Sequence, residues 1–322
     1  MLYKTFYLAA IMIFTFSGSS LADELKITLQ PPWQMLKGSG GGAAEYVLKY
    51  PGTGWPSLSS TTPIKPDCHY MLKWRMKSSI ADVSAPFIAV IDAGVTYNFS
   101  YLLTPGWSQY AAYFYSGTAA AARLRLYINP GEAKEIQVRD LQLIPVTAEM
   151  LTGNLLPDGD FESGSGFPAN WTKAYGTSVN PAAIIESQNF LAGTRSMVLS
   201  ACDQNKGTAG MNSIYLPVIP GKRFELTFWA KADADMSLAA SVDGWSPVKH
   251  TGKHFYKSEK VKLSPEWRQY SITVDIPASL SEYPDLNSRM MRLSFAMPQS
   301  KAKEVWIDGV IFRQSMSGQT DH

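Results

Sequence analysis

Pro63-Ile64-Lys65-Pro66-Asp67-Cys68-His69-Tyr70-Met71-Leu72-Lys73-Trp74-Arg75-Met76-Lys77 aligns without a gap on the stretch from Pro217 to Lys231. In both copies the large apolar residues fall on alternate positions, Tyr70, Leu72 and Trp74 matching Phe224, Leu226 and Phe228. A period of two puts them on one face of an extended strand and on no single face of a helix. Each copy enters its strand through a turn pair, Pro66-Asp67 or Pro220-Gly221, in which proline presets the backbone for the turn. Two further blocks repeat in the same order. Thr104-Pro105-Gly106-Trp107-Ser108-Gln109-Tyr110 matches Ser264-Pro265-Glu266-Trp267-Arg268-Gln269-Tyr270, and Ala133 to Ile136 matches Ala302 to Val305. Three collinear matches mean that the chain is an internal duplication. Short strands punctuated by Gly, Pro and Asn turns, without helical periodicity, predict an all-β protein of two tandem sandwiches. The boundary falls near Val146 to Gly153, which is short and not rich in Gly or Ser, so the halves should abut and not swing on a tether.

The 322 residues suffice for two domains with full cores. Aromatics at 12% against charged residues at 17% suit strands, which favour ring and β-branched side chains. A net charge of +2 with no run of Lys or Arg argues against nucleic acid as a partner. At the start, Lys4 precedes an almost wholly apolar run from Phe6 to Phe16, and Ser17 to Ala22 supplies small residues before a cut at Asp23. Residues 1–22 therefore read as a signal peptide, too short in its apolar part to span a bilayer, and the mature chain as secreted or periplasmic. Cys68 and Cys202, the only cysteines, lie in different halves. Export permits a disulfide between them if their Cβ atoms meet within about 4.5 Å; burial as separate small hydrophobes is the alternative.

The second half carries an ordered set of motifs. Asn154-Leu155-Leu156-Pro157-Asp158-Gly159-Asp160-Phe161-Glu162 is followed by Pro168-Ala169-Asn170-Trp171 and by Gly193-Thr194-Arg195-Ser196-Met197-Val198-Leu199. Then come Pro220 to Lys231, Pro265 to Tyr270, and Val305-Trp306-Ile307-Asp308-Gly309-Val310. This set resembles the carbohydrate-binding module family found beside many xylanases and β-glucanases, a jelly-roll sandwich of galactose-binding-like type. The resemblance implies two jelly-roll modules after the signal peptide, a degenerate one over residues 23–148 and a clear one over 152–315. It also implies that the final strand, Val305 to Phe312, closes beside the opening stretch Leu155 to Phe161.

In that family a structural Ca²⁺ commonly sits where the opening strand, a following loop and the final strand converge. By resemblance its ligands here are Asp160, Glu162 and Asp308, with backbone oxygens from the Gly193-Thr194-Arg195 loop. Ca²⁺ takes six to eight oxygen ligands, which separate segments can supply. Read as residues alone, the same acids are turn and strand-end residues. In the first half Arg139 stands where Asp308 stands in the second, so the ion is expected only in the second module.

Sugars present an apolar C–H face rimmed by hydroxyls, so their sites combine a ring with directed hydrogen bonders. Trp107, Trp171, Trp229 and Trp267 sit in the repeated or family-like blocks and read as packing. Trp245 lies in the turn-rich Asp243-Gly244-Trp245-Ser246-Pro247, with His250, His254 and Tyr256 close behind. These four residues with Asp243, Lys249 and Arg292 form the candidate saccharide site; the alternative is that Trp245 folds back over the sandwich end. In the first half the corresponding stretch, Asp92 to Phe99, is shorter and has no Trp, and Trp55 is that half's candidate exposed ring. The reading favoured is a non-catalytic protein that binds polysaccharide or oligosaccharide. Two alternatives stay open. One is a jelly-roll lyase or hydrolase, for which His250, His254 and Tyr256 are candidates but the signatures of jelly-roll alginate lyases are missing. The other is an interaction module that has lost its sugar.

Overall fold

The computed structural model describes residues 28–29, 33–37, 45–49, 57–79, 82–128, 135–163, 166–173, 183–200, 209–244, 255–278, 289–297 and 304–315. The first half contributes β1 (Thr28–Leu29), β2 (Trp33–Lys37), β3 (Glu45–Lys49), β4 (Ser57–Pro63) and β5 (His69–Ser78). It continues with β6 (Asp82–Asp92), β7 (Thr96–Leu103), β8 (Ser108–Tyr115), β9 (Ala121–Ile128) and β10 (Glu135–Pro145). A single turn of helix, α1 (Ala148–Thr152), joins the halves. The second half contributes β11 (Trp171–Lys173), β12 (Ala183–Glu186), β13 (Ser196–Ser200), β14 (Ala209–Pro217) and β15 (Arg223–Ala232). It ends with β16 (Met236–Gly244), β17 (Phe255–Leu263), β18 (Arg268–Asp275), β19 (Met290–Met297) and β20 (Glu304–Gln314).

These strands form two jelly-roll sandwiches in tandem. The front sheet of the first has the order β1-β4-β9-β6-β7 and its back sheet β2-β3-β10-β5-β8; in the second the orders are β11-β14-β19-β16-β17 and β12-β13-β20-β15-β18. Adding ten to every strand number of the first module gives the second. The repeated blocks land on matching strands: β5 and β15 from the first, β8 and β18 from the second, β10 and β20 from the third. The duplication extends to an irregularity. β10 bulges against β5 between Arg139 and Gln142, and β20 bulges against β15 across the same two positions. The left-handed residue of the bulge is Asp140 in one copy and Gly309 in the other, each with φ of 56°.

Alternation decides which side chains enter the cores. Tyr70, Leu72, Trp74 and Met76 of β5 are buried, while Lys73, Arg75 and Lys77 between them are not. Trp74 stacks on Tyr110 and meets Tyr101 edge-on, with ring centroids 5.8 and 5.3 Å apart. In the second module Phe228 meets Phe295 at 4.9 Å, and Trp171 lies 5.6 Å from Phe295. Removing a buried ring of this size costs about 3–5 kcal/mol.

The opening motif of the second module closes on its last strand, as the resemblance implies, but as a series of turns and not as a strand. Leu155 N–H donates to Phe312 O (2.8 Å), Val310 N–H to Gly159 O (2.8 Å), and the Asn154 amide to Val310 O (2.9 Å).

The modules abut. Edge strand β8 turns Ala111, Tyr113 and Tyr115 toward the second module, and all three are buried. The Asn170 side chain accepts from Ala111 N–H (3.1 Å) and donates to Gln109 O (2.9 Å), satisfying part of an edge that would otherwise lack partners. Asn170 heads one of two glycosylation-like triplets in the sequence; it is 1% exposed and committed to this contact. Tyr113 OH donates to Leu155 O (2.8 Å). At the other end of β8 the Arg289 guanidinium lies 4.4 Å from the Tyr115 ring and 3.6 Å from the Asp67 carboxylate, while the His69 ring donates to Arg289 O (3.1 Å). Asp67 and Arg289 both adopt left-handed backbone, with φ of 56° and 49°. Glycine holds the position of Asp67 in the second copy, so its strain accompanies the contact between modules. Cys68 is half-buried against the core, and Cys202 lies outside the described residues.

Candidate functional site

The front sheet of the second module turns Leu238, Ala240 and Val242 of β16 and Leu293 and Phe295 of β19 into the core. The residues between them face outward. Pairing lines up Tyr215, Arg292, Asp243 and Tyr256 as one rung across β14, β19, β16 and β17. The next rung is Asn212, Ser294, Ser241 and Ser258, and the third is Gly210, Ala296, Ala239 and Lys260.

The first rung carries the charge. Arg292 Nη2 lies 3.9 Å from Asp243 Oδ2, and Asp243 is almost fully buried. On its other side the guanidinium sits 5.9 Å from the Tyr215 ring. Burial holds the Tyr215 phenol above its usual pKa, partly offset by Arg292, so it stays a neutral donor and acceptor. Phe99 of the first module meets Tyr215 at 6.0 Å between centroids, so the first module walls this end of the rung. The second rung has small side chains throughout, and the third has them up to Lys260 on the edge strand β17. A bound molecule can therefore approach the sheet closely there, with hydroxyls and an amide beneath it and Arg292 beside it.

Of the sequence-predicted saccharide residues, Asp243 and Arg292 come together and Tyr256 stands opposite Asp243 in the register. Trp245, Lys249, His250 and His254, and Trp55 of the first half, lie outside the described residues. Tyr215 and the Asn212-Ser294-Ser241-Ser258 rung were not singled out by the sequence. Their signal is the small polar residues alternating with Met211, Val242 and Leu293, which becomes a surface only once the pairing is known.

The tryptophans expected to pack divide in two. Trp171 is buried. Trp107, Trp229 and Trp267 are half-buried, and Trp229 alternates with Phe228 and so faces away from the core. Arg139 lies 3.9 Å from the Trp107 ring centroid and Lys77 5.0 Å, while Lys231 lies 5.5 Å from that of Trp267. The rings of Trp107 and Trp267 are thus covered by cations on the back sheets and not by the cores.

A second cluster gathers the residues implied as calcium ligands. Glu162 accepts from Thr194 N–H (2.6 Å), Thr194 O–H (2.6 Å) and Arg195 N–H (3.0 Å). Asp308 accepts from Leu191 N–H (2.9 Å), Ala192 N–H (3.3 Å) and Gly309 N–H (2.7 Å). Gly193 has φ of +69°, and a Cβ there would lie 2.2 Å from Glu162 Oε1, so only glycine fits between the loop and that carboxylate. Burial pushes the Asp308 pKa up, against its three amide donors, and the nearby Glu162 charge adds to the rise. For Glu162 desolvation pulls upward, but the donors of Thr194 and Arg195 outweigh it and hold the pKa below its ordinary value. Among the described residues no group of three or more Asp, Glu, His or Cys side chains gathers here, so a hard cation would need carbonyls of the loop beside these two carboxylates, which now accept the loop's N–H groups. Asp160 is exposed beside Asp158. The Gly193 and Arg195 backbones lie at Glu162. In the first module the Arg139 side chain turns to Trp107, which leaves no carboxylate at the position of Asp308. Beside this loop is a cleft of about 330 Å³ lined by Gly166, Ile185, Glu186, Ser187, Gln188 and Arg195.

No protein-family model and no curated protein matches the chain. Among solved structures it is similar to the tandem CBM22-1–CBM22-2 domain of Paenibacillus barcinonensis Xyn10C. The identity is 13%, covering 90% of this chain and 93% of that one with a TM-score of 0.39. The family 11 carbohydrate-binding module of Clostridium thermocellum, in complex with a β-1,3-1,4-mixed-linked tetrasaccharide, is 17% identical. It covers 50% of this chain and 96% of that one, with a TM-score of 0.37. A module described as CBM4 is 18% identical over 50% of this chain and 99% of its own, with a TM-score of 0.36. The two-sandwich architecture itself rests on the strand order within this chain. No helix among the described residues is long and apolar enough to cross a membrane.

Proposed function

We propose that this is an exported, non-catalytic protein that binds polysaccharide, holding a neutral saccharide on the outer front face of its second module. The observation that carries this reading is the rung Tyr215–Arg292–Asp243–Tyr256 beside a rung of small polar residues. A guanidinium tied to a buried carboxylate is a fixed fork of donors for vicinal hydroxyls. Small neighbours let the sugar's C–H face reach the sheet. Asp243 is paired with Arg292 and so suits holding hydroxyls better than delivering protons, whereas glycoside hydrolysis calls for two carboxylates across a scissile bond. Within the same reading, Ca²⁺ held by Glu162 and Asp308 would clamp the loop at residues 189–195 and take no part in binding sugar. Export rests on the signal-like residues 1–22.

The test is calorimetric titration of the full chain with xylo-, β-gluco- and manno-oligosaccharides, repeated on Arg292→Gln. At least one series should bind, and the variant should lose about tenfold in affinity, the worth of one charge-assisted hydrogen bond. Equal affinities would remove Arg292 from the site. Release of reducing ends or unsaturated uronates from polysaccharide would make the protein an enzyme.

A further inference from the structure

The first module repeats the rung of the second. On its front sheet Asp92 stands opposite Arg123 as Asp243 stands opposite Arg292, with Thr61 and Thr96 completing the row. The next two rungs differ from their counterparts. Arg125 takes the place of Ser294 and Tyr127 the place of Ala296, among Ser59, Val90 and Asn98 in one rung and Ile88 and Ser100 in the other.

This change redistributes charge. Arg125 reaches diagonally to Asp92 (2.5 Å), donates to Tyr127 OH (2.9 Å) and lies 5.6 Å from that ring. Thr96 O–H donates to the other Asp92 oxygen (2.7 Å). Asp92 is therefore claimed by the extra arginine. Arg123 is left exposed, without an ion-pair partner among the described residues, and the buried Arg125 Nε has no acceptor among them. Two guanidiniums, only one of them paired with the single carboxylate, now stand on a face floored by Val90 and Ile88 and edged by Asn98, Ser100 and Ser59.

We propose that this face is a second saccharide site whose ligand carries carboxylates, a uronate-containing chain, with a carboxylate seated on Arg123 and next to Arg125. The planar fork of Arg matches a carboxylate with two parallel donors, a geometry a neutral hydroxyl does not use fully. The two modules thereby divide the work, neutral sugar on the second and acidic sugar on the first. The proposal rests on the saccharide reading of the second module for its ligand class, but the residues and the charge are its own.

The experiment titrates the full-length mature chain with a galacturonate hexamer, with a neutral hexasaccharide that binds the second module, and with hexaglutamate, at low and at elevated salt. The uronate should bind, weaken as salt screens the pair, and lose at least about tenfold in affinity in Arg123→Gln, whose exposed position leaves folding intact by circular dichroism. Hexaglutamate should bind much more weakly than the uronate. No uronate binding by the wild type, an unchanged affinity in Arg123→Gln, or hexaglutamate binding as tight as the uronate would each overturn the proposal. Neutral sugar bound without uronate sinks this inference alone, and failure of both sinks the reading of the second module as well.

Discussion

His69 is the group through which acid should loosen the contact between modules. It is buried, and desolvation is the main reason its pKa falls from 6.5 to about 4; the hydrogen bond its ring donates to Arg289 O opposes the fall, the Arg289 charge adds to it, and the Asp67 charge opposes it. A histidine depressed on folding contributes stability that is fully present above its unfolded pKa and is lost as pH falls through the folded value. The window is therefore about pH 6.5 down to 4. Each pH unit in it costs about 1.4 kcal/mol, so at pH 5 the folded chain should have lost about 2 kcal/mol through this residue. The comparison is urea unfolding at pH 7.5 and pH 5 for the wild type and His69→Gln, whose amide can still donate to Arg289 O but takes up no proton. The wild type should lose about 2 kcal/mol more than the variant between the two pH values. Equal losses would refute the assignment of this pH dependence to His69.

Gly193→Ala should lower stability by about 1–3 kcal/mol, because its left-handed backbone and the Glu162 oxygen 2.2 Å from the new Cβ leave no relaxed position; thermal melting checks it, and an unchanged midpoint would contradict the loop geometry. Asn170→Ala removes both side-chain bonds to β8 and should cost about 1–3 kcal/mol by orphaning buried backbone groups, seen as earlier or separated unfolding of the two modules in calorimetry. If Glu162 and Asp308 hold Ca²⁺, a chelator should lower the melting temperature and added Ca²⁺ restore it, and Glu162→Gln should abolish that response. A chelator without effect on the wild type would leave the carboxylates as direct clamps of the loop.

What the sequence made legible was what repeats along it. The alternation of Tyr70, Leu72 and Trp74 and its copy at Phe224, Leu226 and Phe228 are local patterns, and these residues do fall on β5 and β15. The substitution of Arg139 for Asp308 was likewise readable, because the two last strands align without gaps. The saccharide rung was only partly legible. Asp243 and Tyr256 are near in sequence, but Tyr215, Asn212 and Ser294 reach them through non-local strand pairing. The rung built on Asp92 and Arg123 was hidden for the same reason: the two residues meet only once β6 pairs with β9. Trp107 and Trp267 misled because both follow a Pro-x-Trp turn beside core strands, yet the turn presents the ring to Lys77 and Arg139, or to Lys231, on the back of the sheet.

The central claim is that the second module's front sheet is the surface that meets sugar. Backbone amide shifts of the isotopically labelled chain, followed during titration with the oligosaccharide series that binds, test it residue by residue. The account predicts the largest shifts at Tyr215, Ser241, Asp243, Arg292 and Ser294. Shifts confined to Glu186, Gln188 and Arg195 around the loop cleft, with the sheet silent, would contradict it.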